Sequence, residues 1–222
     1  MERLPHGYTN ATRRVGDGLV EKRYFMYGRE RARVEAACLA GMRSIVPVAE
    51  VISFDPDRAV LVMREAAGQH GQELIEAGHG PVVLRLIGST LRALQQAPVT
   101  AVEGLCGDGG MITHGDFGPQ NMLFDLERDA VAAILDWEFA HRGTPVEDLA
   151  WAEWIVRMHH PTVIDLLPAL FAGAGITPPW PRRHGAMLRR CEELRQLCEA
   201  NNDESGTTLW RTRAKATARW VE

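Results

Sequence analysis

The residues best suited to chemistry lie between positions 113 and 136. His114, Asp116 and Asn121 form the pattern H-x-D-x-x-x-x-N, and the glycines and proline among them exclude a regular helix or strand. A loop of this kind aims a carboxylate and a carboxamide into one cleft. An apolar run then leads to a further acid, Asp136. The pattern predicts a carboxylate that takes a proton from a hydroxyl group, beside hard oxygen ligands for Mg²⁺.

The two apolar runs after this loop predict a β-hairpin. Residues 122–124 and 130–135 flank a polar break at 127–129. If the hairpin is centred between Arg128 and Asp129, the numbers of facing residues sum to about 257. This register places Asn121 opposite Asp136, so that two oxygen ligands meet at the open end of the hairpin.

Three linked motifs resemble the aminoglycoside phosphotransferase and choline-kinase-like family. The loop reads H-G-D where protein kinases have H-R-D, Asp136 is followed by Trp and Glu, and residues 143–150 read G-T-P-V-E-D-L-A. The resemblance implies an α+β, protein-kinase-like bilobal fold. It would have a small, abbreviated β-rich N-lobe (residues 1–66) that binds nucleotide and a larger α-helical C-lobe (residues 67–222) that carries the catalytic and acceptor sites.

The resemblance also implies a role for each matching residue. Asp116 would be the catalytic base, and Asn121 and Asp136 would hold Mg²⁺. Lys22 would hold the phosphates of ATP, and it is the only lysine before the predicted hinge. Glu35 is preferred to Glu30 as its partner, because Glu30 lies in the first helical turn, where the helix dipole alone explains an acid.

The nucleotide clamp is less complete in the sequence than the catalytic loop. The backbone of Arg64 and Ala66 would bond the adenine edge, as the resemblance implies for the hinge. Tyr8, Thr9 and Asn10 would cover the phosphates, yet this loop has one glycine instead of the usual three. The resemblance also implies that Asp148 buttresses the catalytic loop.

Hydrophobic periodicity and turn residues predict the remaining elements. Trp151 and Trp154 are spaced at i and i+3 on one predicted helix, which favours core packing. The predicted strands are 11–15, 19–25, 46–54 and 59–63, and the predicted helices are 29–42, 80–96, 145–159, 161–172, 182–201 and 206–221.

Composition narrows the function classes. The net charge of −4 gives no basic footprint for nucleic acid, and no apolar run is long enough to span a bilayer. The four cysteines lack metal-type spacing, so reduced thiols and a cytoplasmic protein are expected. The negative charge falls in residues 111–222, which indicates a solvated acidic surface in the first place and is also compatible with a metal or with a small-molecule acceptor that is cationic. Candidate contacts for a polyamine are Glu147, Glu153, Glu192 and Glu193.

Three functions follow from these residues. The leading hypothesis is an ATP- and Mg²⁺-dependent kinase that phosphorylates a hydroxyl of a small molecule, such as an aminoglycoside or a related antibiotic. A metal-dependent hydrolase is the second, and it requires His114 and His141 to converge on a metal with Asp116 and Asp136. The third is a catalytically weak pseudokinase that binds nucleotide.

Overall fold

The computed structural model describes residues 10–25 and 28–222 of the chain. The N-terminal part contains strands β1 (Asn10–Gly16), β2 (Leu19–Tyr24), β3 (Val51–Asp55) and β4 (Val60–Arg64). Within the described ranges these strands form one antiparallel sheet in the spatial order β1, β2, β4, β3. Helix α1 (Gly28–Met42) buries one stripe of residues at helical spacing and so covers the sheet next to the catalytic half of the chain.

The predicted strand 46–54 is wrong over its first five residues. Residues 46–50 instead run toward the C-terminal part, where the carbonyl of Pro47 accepts a hydrogen bond of 2.8 Å from the Ile134 amide and Val48 forms a parallel bridge with Ile134. The apolar character of this run reflects burial, since Val46 and Ala49 are buried and Val46 belongs to the larger core. An apolar run reports burial, but it does not identify the partner that buries it.

The C-terminal part is mainly helical and carries two small sheets. Its strands and α-helices are β5 (Gln69–His70), α2 (Gly71–Leu74), α3 (Gly80–Gln95), β6 (Met111–Thr113), β7 (Met122–Asp125), β8 (Ala130–Ile134), β9 (His141–Gly143), α4 (Glu147–His159), α5 (Leu167–Ala174), α6 (Trp180–Ala200) and α7 (Glu204–Thr217). Strands β5, β7 and β8 form one sheet, and strands β6 and β9 form the other. A π-helical segment (Ile75–His79) precedes α3, and a 3₁₀ segment (Pro161–Leu166) precedes α5, so the predicted helix 161–172 begins as 3₁₀.

Two apolar cores hold these elements together. The larger core runs through both parts of the chain and includes the inner faces of α1, α3 and β7. Helices α3 and α5 approach very closely, since a Cβ atom on Gly88 would lie 2.1 Å from the carbonyl oxygen of Leu170. The second core joins α4, α6 and α7 through tryptophan side chains. None of the helices in the described ranges combines the length and the apolar character of a membrane span.

Candidate active site

The catalytic loop between β6 and β7 holds the carboxylate of Asp116 from two sides. The side-chain amide of Asn121 donates to Asp116 Oδ2 over 2.8 Å and to the Asp116 carbonyl over 2.9 Å. On the other side the indole of Trp151 donates to Oδ1 over 2.8 Å, and Gln120 adds a longer bond of 3.3 Å. Donors on both oxygens fix the plane of the carboxylate, as a base that must meet a substrate hydroxyl requires.

Asp148, in the first turn of α4, anchors this loop from below. Its carboxylate accepts hydrogen bonds from the backbone amides of His114 (2.8 Å) and Gly115 (2.9 Å). Gly115 has a φ of +82°, and a Cβ atom there would lie 2.4 Å from the carbonyl oxygen of Phe139. A side chain in place of this glycine would therefore push the loop away from its support.

His114 supports the loop and is fully engaged with backbone atoms. Its Nε2 lies 2.9 Å from the carbonyl of Leu135, which can only accept, so Nε2 donates. Its Nδ1 then accepts from the Asp116 amide at 3.2 Å. His141 is also engaged at both nitrogens, by the Phe139 carbonyl and by Glu147. Neither imidazole offers a lone pair to a metal, so the geometry argues against the hydrolase hypothesis.

The hairpin that carries the two candidate metal ligands is one residue out of the predicted register. Met122 pairs with Ile134, and the Leu135 amide donates to the Asn121 carbonyl over 2.8 Å, so Asn121 lies opposite Leu135. The shift arises at the turn, which is centred between Glu127 and Arg128, one residue earlier than predicted, since Asp125 pairs with Ala130. A bulge at Ala132 in β8 then moves the pairing back by one position, toward the predicted register. Asp136 follows in a left-handed conformation (φ 64°, ψ 58°), which turns the chain at the end of the hairpin.

Lys22 links the N-terminal sheet to this hairpin. Its Nζ lies 2.6 Å from Glu35 Oε2 on α1 and 2.6 Å from Asp136 Oδ1. Glu35 is 2% exposed, whereas Glu30 is on the solvent side of the same helix. The structure therefore brings together Lys22, Glu35 and Asp136 from three separate elements.

The charges in this cluster stabilise one another. Burial alone would raise the pKa of Asp136, but the ammonium of Lys22 at hydrogen-bond distance lowers the pKa below its ordinary value. Burial would likewise lower the pKa of Lys22, but Asp136 and Glu35 raise it above its ordinary value. Asp136 is thus a charged carboxylate, which is the form that binds a hard cation.

The donor set of Asn121 and Asp136 fits Mg²⁺. Both hydrogen-bond donors of the Asn121 side chain point at Asp116, which leaves its carbonyl oxygen as the atom that can coordinate a metal. Asp136 supplies a carboxylate from the adjacent strand end. Two protein oxygens are the usual protein share of a magnesium site that also holds phosphates and water.

One residue of this cluster, Tyr24, was missed by the sequence analysis. Tyr24 donates its hydroxyl to Glu35 Oε2 over 2.6 Å, so Glu35 is held by Tyr24 as well as by Lys22. Strand alternation could have revealed it, because residues two apart on β2 face the same side. Glu138 accepts a bond of 2.7 Å from Asn10 and lies 3.7 Å from Arg31, which ties β1 and α1 to the segment after Asp136.

The predicted nucleotide clamp is placed only in part. The backbone amide of Arg64 at the end of β4 donates to the carbonyl of Glu50 over 2.8 Å, so this amide is not available to bond the adenine ring of a nucleotide. Ala66 follows the strand and is half-buried. Asn10 begins β1, and Tyr8 and Thr9 lie outside the described residues. The domain boundary predicted at residue 66 falls between β4 and β5 and stays a prediction.

The acidic residues proposed for a cationic acceptor have partners within the protein. Glu153 is fully buried and binds Arg157 (2.9 Å) and Arg183 (2.5 Å), so its prediction as an acceptor contact is wrong. Charge alone could not show that Glu153 faces the second core. The other three also have partners: Glu147 with His141, Glu192 with Arg195, and Glu193 with Arg190.

The pair of His141 and Glu147 predicts a pH-dependent stability. The hydrogen bond to Glu147 raises the pKa of His141, and the carbonyl of Phe139 raises it further against the effect of burial. Partial burial alone would raise the pKa of Glu147, but His141 and Thr144 lower it to about 2. The stabilisation by His141 is complete below its ordinary pKa of 6.5 and is lost as pH rises through the raised value. The Glu147 contribution is complete above 4.5 and is lost as pH falls toward about 2.

We therefore expect His141→Gln to lower the free energy of unfolding more at about pH 5.5 than at about pH 9. Urea denaturation of both proteins at each pH measures the difference. His79→Gln, at an exposed histidine, is the matched control and should show no such pH dependence. An equal loss at both pH values for His141→Gln would mean that the pair does not titrate as described.

Trp151 makes a polar contact in addition to the predicted packing. It stacks on Trp154 with ring centres 4.3 Å apart and planes 4° apart, and it donates to Asp116. Trp151→Phe keeps the stack and removes the donor, so for the kinase that the sequence predicts, kcat should fall about 10- to 100-fold, the value of one hydrogen bond to a charged group. Steady-state kinetics should give an unchanged KM for ATP. If this variant kept the wild-type kcat, the hydrogen bond to Asp116 would not contribute to catalysis and the role of Trp151 would be packing.

These features define a class of protein. A four-strand sheet and one helix carry a paired lysine and glutamate, and the mostly helical part carries Asp116 and Asn121 on one loop and Asp136 at the end of the following hairpin. This is the organisation of a protein-kinase-like phosphotransferase. A family model described as the phosphotransferase enzyme family matches residues 108–186, the segment that contains the catalytic loop and α4.

Solved structures with the same fold are similar over nearly the whole chain. A thermostable mutant of aminoglycoside phosphotransferase APH(4)-Ia is 17% identical, with a TM-score of 0.71, and the match covers 98% of this chain and 93% of that one. APH(2")-IIIa in its GDP and kanamycin complex is 12% identical, with a TM-score of 0.77 and coverage of 98% and 92%. A choline/ethanolamine kinase family protein from Mesorhizobium loti is 18% identical, with a TM-score of 0.68 and coverage of 99% and 88%.

Comparison with curated protein sequences gave no match. The family match and the structural neighbours confirm the predicted resemblance and the predicted α+β, protein-kinase-like fold. The chain therefore has the fold of the aminoglycoside phosphotransferases and of the choline/ethanolamine kinase family.

Proposed function

We propose that the protein is a small-molecule kinase that transfers the γ-phosphoryl group of ATP to a hydroxyl group. The observation that carries the proposal is the convergence of Lys22 and Asp136 at 2.6 Å, with Asp116 and Asn121 joined at 2.8 Å on the neighbouring loop. A phosphate-binding cation, two metal ligands and a base are the groups that phosphoryl transfer to an alcohol requires. The family match and the shared fold support an enzyme of this class.

In this proposal Asp116 receives the acceptor hydroxyl and takes its proton as the oxygen attacks the γ-phosphorus. The bond from the γ-phosphorus to the β–γ bridging oxygen breaks, and ADP leaves with that oxygen. Trp151 and Asn121 keep the carboxylate in the plane that points at the hydroxyl. Lys22 is held by Glu35, which also accepts a hydrogen bond from Tyr24, and its ammonium binds the phosphates of the nucleotide. The main contribution of the protein is positioning and fixed charge in a partly buried cleft.

The carbonyl oxygen of Asn121 and the carboxylate of Asp136 would hold Mg²⁺. When bound, Mg²⁺ neutralises charge on the transferred phosphoryl group and its leaving group. Lys22 is already paired with Asp136. When a nucleotide binds, the same ammonium must therefore interact with both the Asp136 carboxylate and the phosphates. The remaining backbone groups of Arg64 and Ala66 would meet the adenine edge.

Aminoglycosides are the first acceptors to test. A variant of APH(4)-Ia has been solved with AMP-PNP and hygromycin B, and APH(2")-IIIa with GDP and kanamycin. The ligands of these neighbours support a nucleotide and an aminoglycoside as the first substrate pair to test on this chain.

The test is incubation with ATP or GTP, Mg²⁺ and a panel of aminoglycosides, tuberactinomycin-like peptides and amino alcohols. Mass spectrometry then detects the gain of one phosphoryl group. Transfer that depends on Mg²⁺ and on Asp116 supports the proposal. Nucleotide binding without transfer to any acceptor would favour the pseudokinase hypothesis instead.

A further inference from the structure

Arg190 on α6 presents two N–H donors that the protein does not use. Its Nη1 lies 3.1 Å from Glu193 Oε2. Its Nε and Nη2 are buried, and no residue in the described ranges accepts a hydrogen bond from either. The rings of Phe139 and Trp151 lie 5.1 Å and 6.0 Å from the guanidinium carbon, but rings supply no oxygen acceptor. A buried charged donor without an acceptor is costly, so these two groups point to a ligand.

The geometry of the unused donors indicates the kind of ligand. Nε–H and Nη2–H lie along one edge of the planar guanidinium, and this edge binds the two oxygens of a carboxylate or of a phosphate. The side chain of Arg190 is 17% exposed, so water competes weakly for these donors. The bond to an anion is correspondingly stronger than it would be at an open surface.

The acids that share this pocket are already matched. Glu147 binds His141, and Asp148 binds two backbone amides of the catalytic loop. Glu193 has Arg190 Nη1. Arg189 adds a second, exposed positive charge to the lining. The pocket therefore offers positive charge and unused donors to a ligand, although the C-terminal half of the chain is acidic in total.

The pocket lies next to the proposed base. Its volume is about 100 Å³, and its lining includes Gly115, which directly precedes Asp116, and Trp151, which donates to the Asp116 carboxylate. Arg190 is separated from Asp116 by the indole of Trp151. A molecule that binds Arg190 and also meets Asp116 must therefore be long enough to extend past the indole of Trp151.

Resting on the proposed kinase function, we infer that the acceptor carries a carboxylate, which binds the Nε/Nη2 edge of Arg190 while its hydroxyl meets Asp116. A carboxylate fits better than a phosphate monoester, because it carries one negative charge, and one of the two arginines that line the pocket is already paired with Glu193. The acceptor class is a hydroxy acid, or a larger amino-acid-like or peptide-like molecule with an acidic group beside its hydroxyl.

The experiment compares ω-hydroxy carboxylic acids of increasing chain length with their primary amides. Binding is measured by saturation-transfer NMR and thermal shift in the absence of nucleotide, and phosphoryl transfer is measured with ATP and Mg²⁺. We expect at least one acid to bind about 10- to 100-fold more tightly than its amide, as a charge-assisted bidentate bond provides. Arg190→Gln should remove this preference, and Arg190→Lys should keep part of it.

Arg182→Gln is the matched control, since Arg182 is exposed on the same helix and its loss changes the net charge equally. Equal binding of acid and amide, acid binding that survives in Arg190→Gln, or no acid binding to the wild type would each overturn the inference. Acid binding that requires Arg190 without transfer in the presence of ATP would support the carboxylate site and count against the kinase function. Transfer to acceptors irrespective of their carboxylate would do the reverse.

Discussion

Replacing Asp116 with Ala is expected to lower kcat for phosphoryl transfer by about 10²- to 10⁴-fold, the usual contribution of a general base. The carboxylate is the only group of the loop that is positioned by donors on both of its oxygens. Its loss leaves the hydroxyl proton without an acceptor at the moment of attack. The KM for ATP should change little, because Lys22 and Asp136 are untouched.

Asp116→Asn tests the same step in a different way. Its amide nitrogen faces the amide nitrogen of Asn121 in one orientation and the indole N–H of Trp151 in the other, so each orientation brings two donors together. In the first orientation the repulsion is relieved if Asn121 turns over. A turned Asn121 would present nitrogen in place of the oxygen proposed for Mg²⁺. We therefore expect Asp116→Asn to raise the Mg²⁺ concentration needed for half-maximal rate, and Asp116→Ala to leave it near the wild-type value.

Steady-state kinetics across a Mg²⁺ series separates these effects. Asp57→Asn, at an exposed turn of the N-terminal sheet, is the matched control and should behave as wild type. If Asp116→Ala retained most of the wild-type kcat, a residue other than Asp116 would have to accept the proton.

The sequence predicted the catalytic loop well because its determinants are local. A glycine is needed at position 115 because φ is positive there and the carbonyl of Phe139 lies close. An acid is needed at position 148 because its carboxylate accepts hydrogen bonds from two backbone amides of the loop. Such requirements restrict the residue types at fixed positions of the sequence, so they can be recognised as a motif. The same is true of Lys22, whose compact ammonium must reach two carboxylates at once.

Features that depend on distant parts of the chain could not be predicted in this way. Asn121 faces Leu135 and not Asp136 because the β7–β8 turn lies one residue earlier than predicted and the bulge at Ala132 only partly compensates, and neither feature leaves a clear trace in an apolar run. The strand predicted from residue 46 was drawn instead to Ile134 of the other sheet. Glu153 resembled its acidic neighbours in type, and only the packing of α6 on α4 made it the buried partner of Arg183.

Arg190 illustrates the same limit within the site. In the sequence it is one of a pair of arginines on a helix, which usually indicates a solvated face. Its importance depends on three facts that only the fold supplies. It is largely buried, its near acids are matched to other groups, and Trp151 connects it to the base.

Replacing Lys22 with Met is expected to abolish measurable transfer and to destabilise the fold by about 3–5 kcal/mol, the usual cost of breaking a buried ion pair from one side. Glu35 and Asp136 both lie 2.6 Å from the same Nζ atom. Without the ammonium these two carboxylates face each other, and Glu35 is 2% exposed and cannot be rehydrated. The loss of transfer has a separate cause, since the phosphates lose their cation.

A second substitution separates the two consequences. In the double variant Lys22→Met with Glu35→Gln, the buried charge is gone and Tyr24 can still donate to the Gln oxygen. We expect this variant to regain most of the lost stability in urea denaturation and none of the lost transfer. The chain offers a matched control in Lys215→Met, because Lys215 is its other lysine and is exposed on α7.

The pattern of recovery decides what Lys22 does. Recovery of stability without activity means that Lys22 acts on the phosphates and that its pairing with Glu35 serves to hold it there. Recovery of both would show that Lys22 is needed only to neutralise Glu35, because a neutral pair of Met and Gln would then suffice for catalysis. If stability were not recovered, most of the free energy of unfolding lost in Lys22→Met would come from Asp136, because its carboxylate remains without a cation in the double variant.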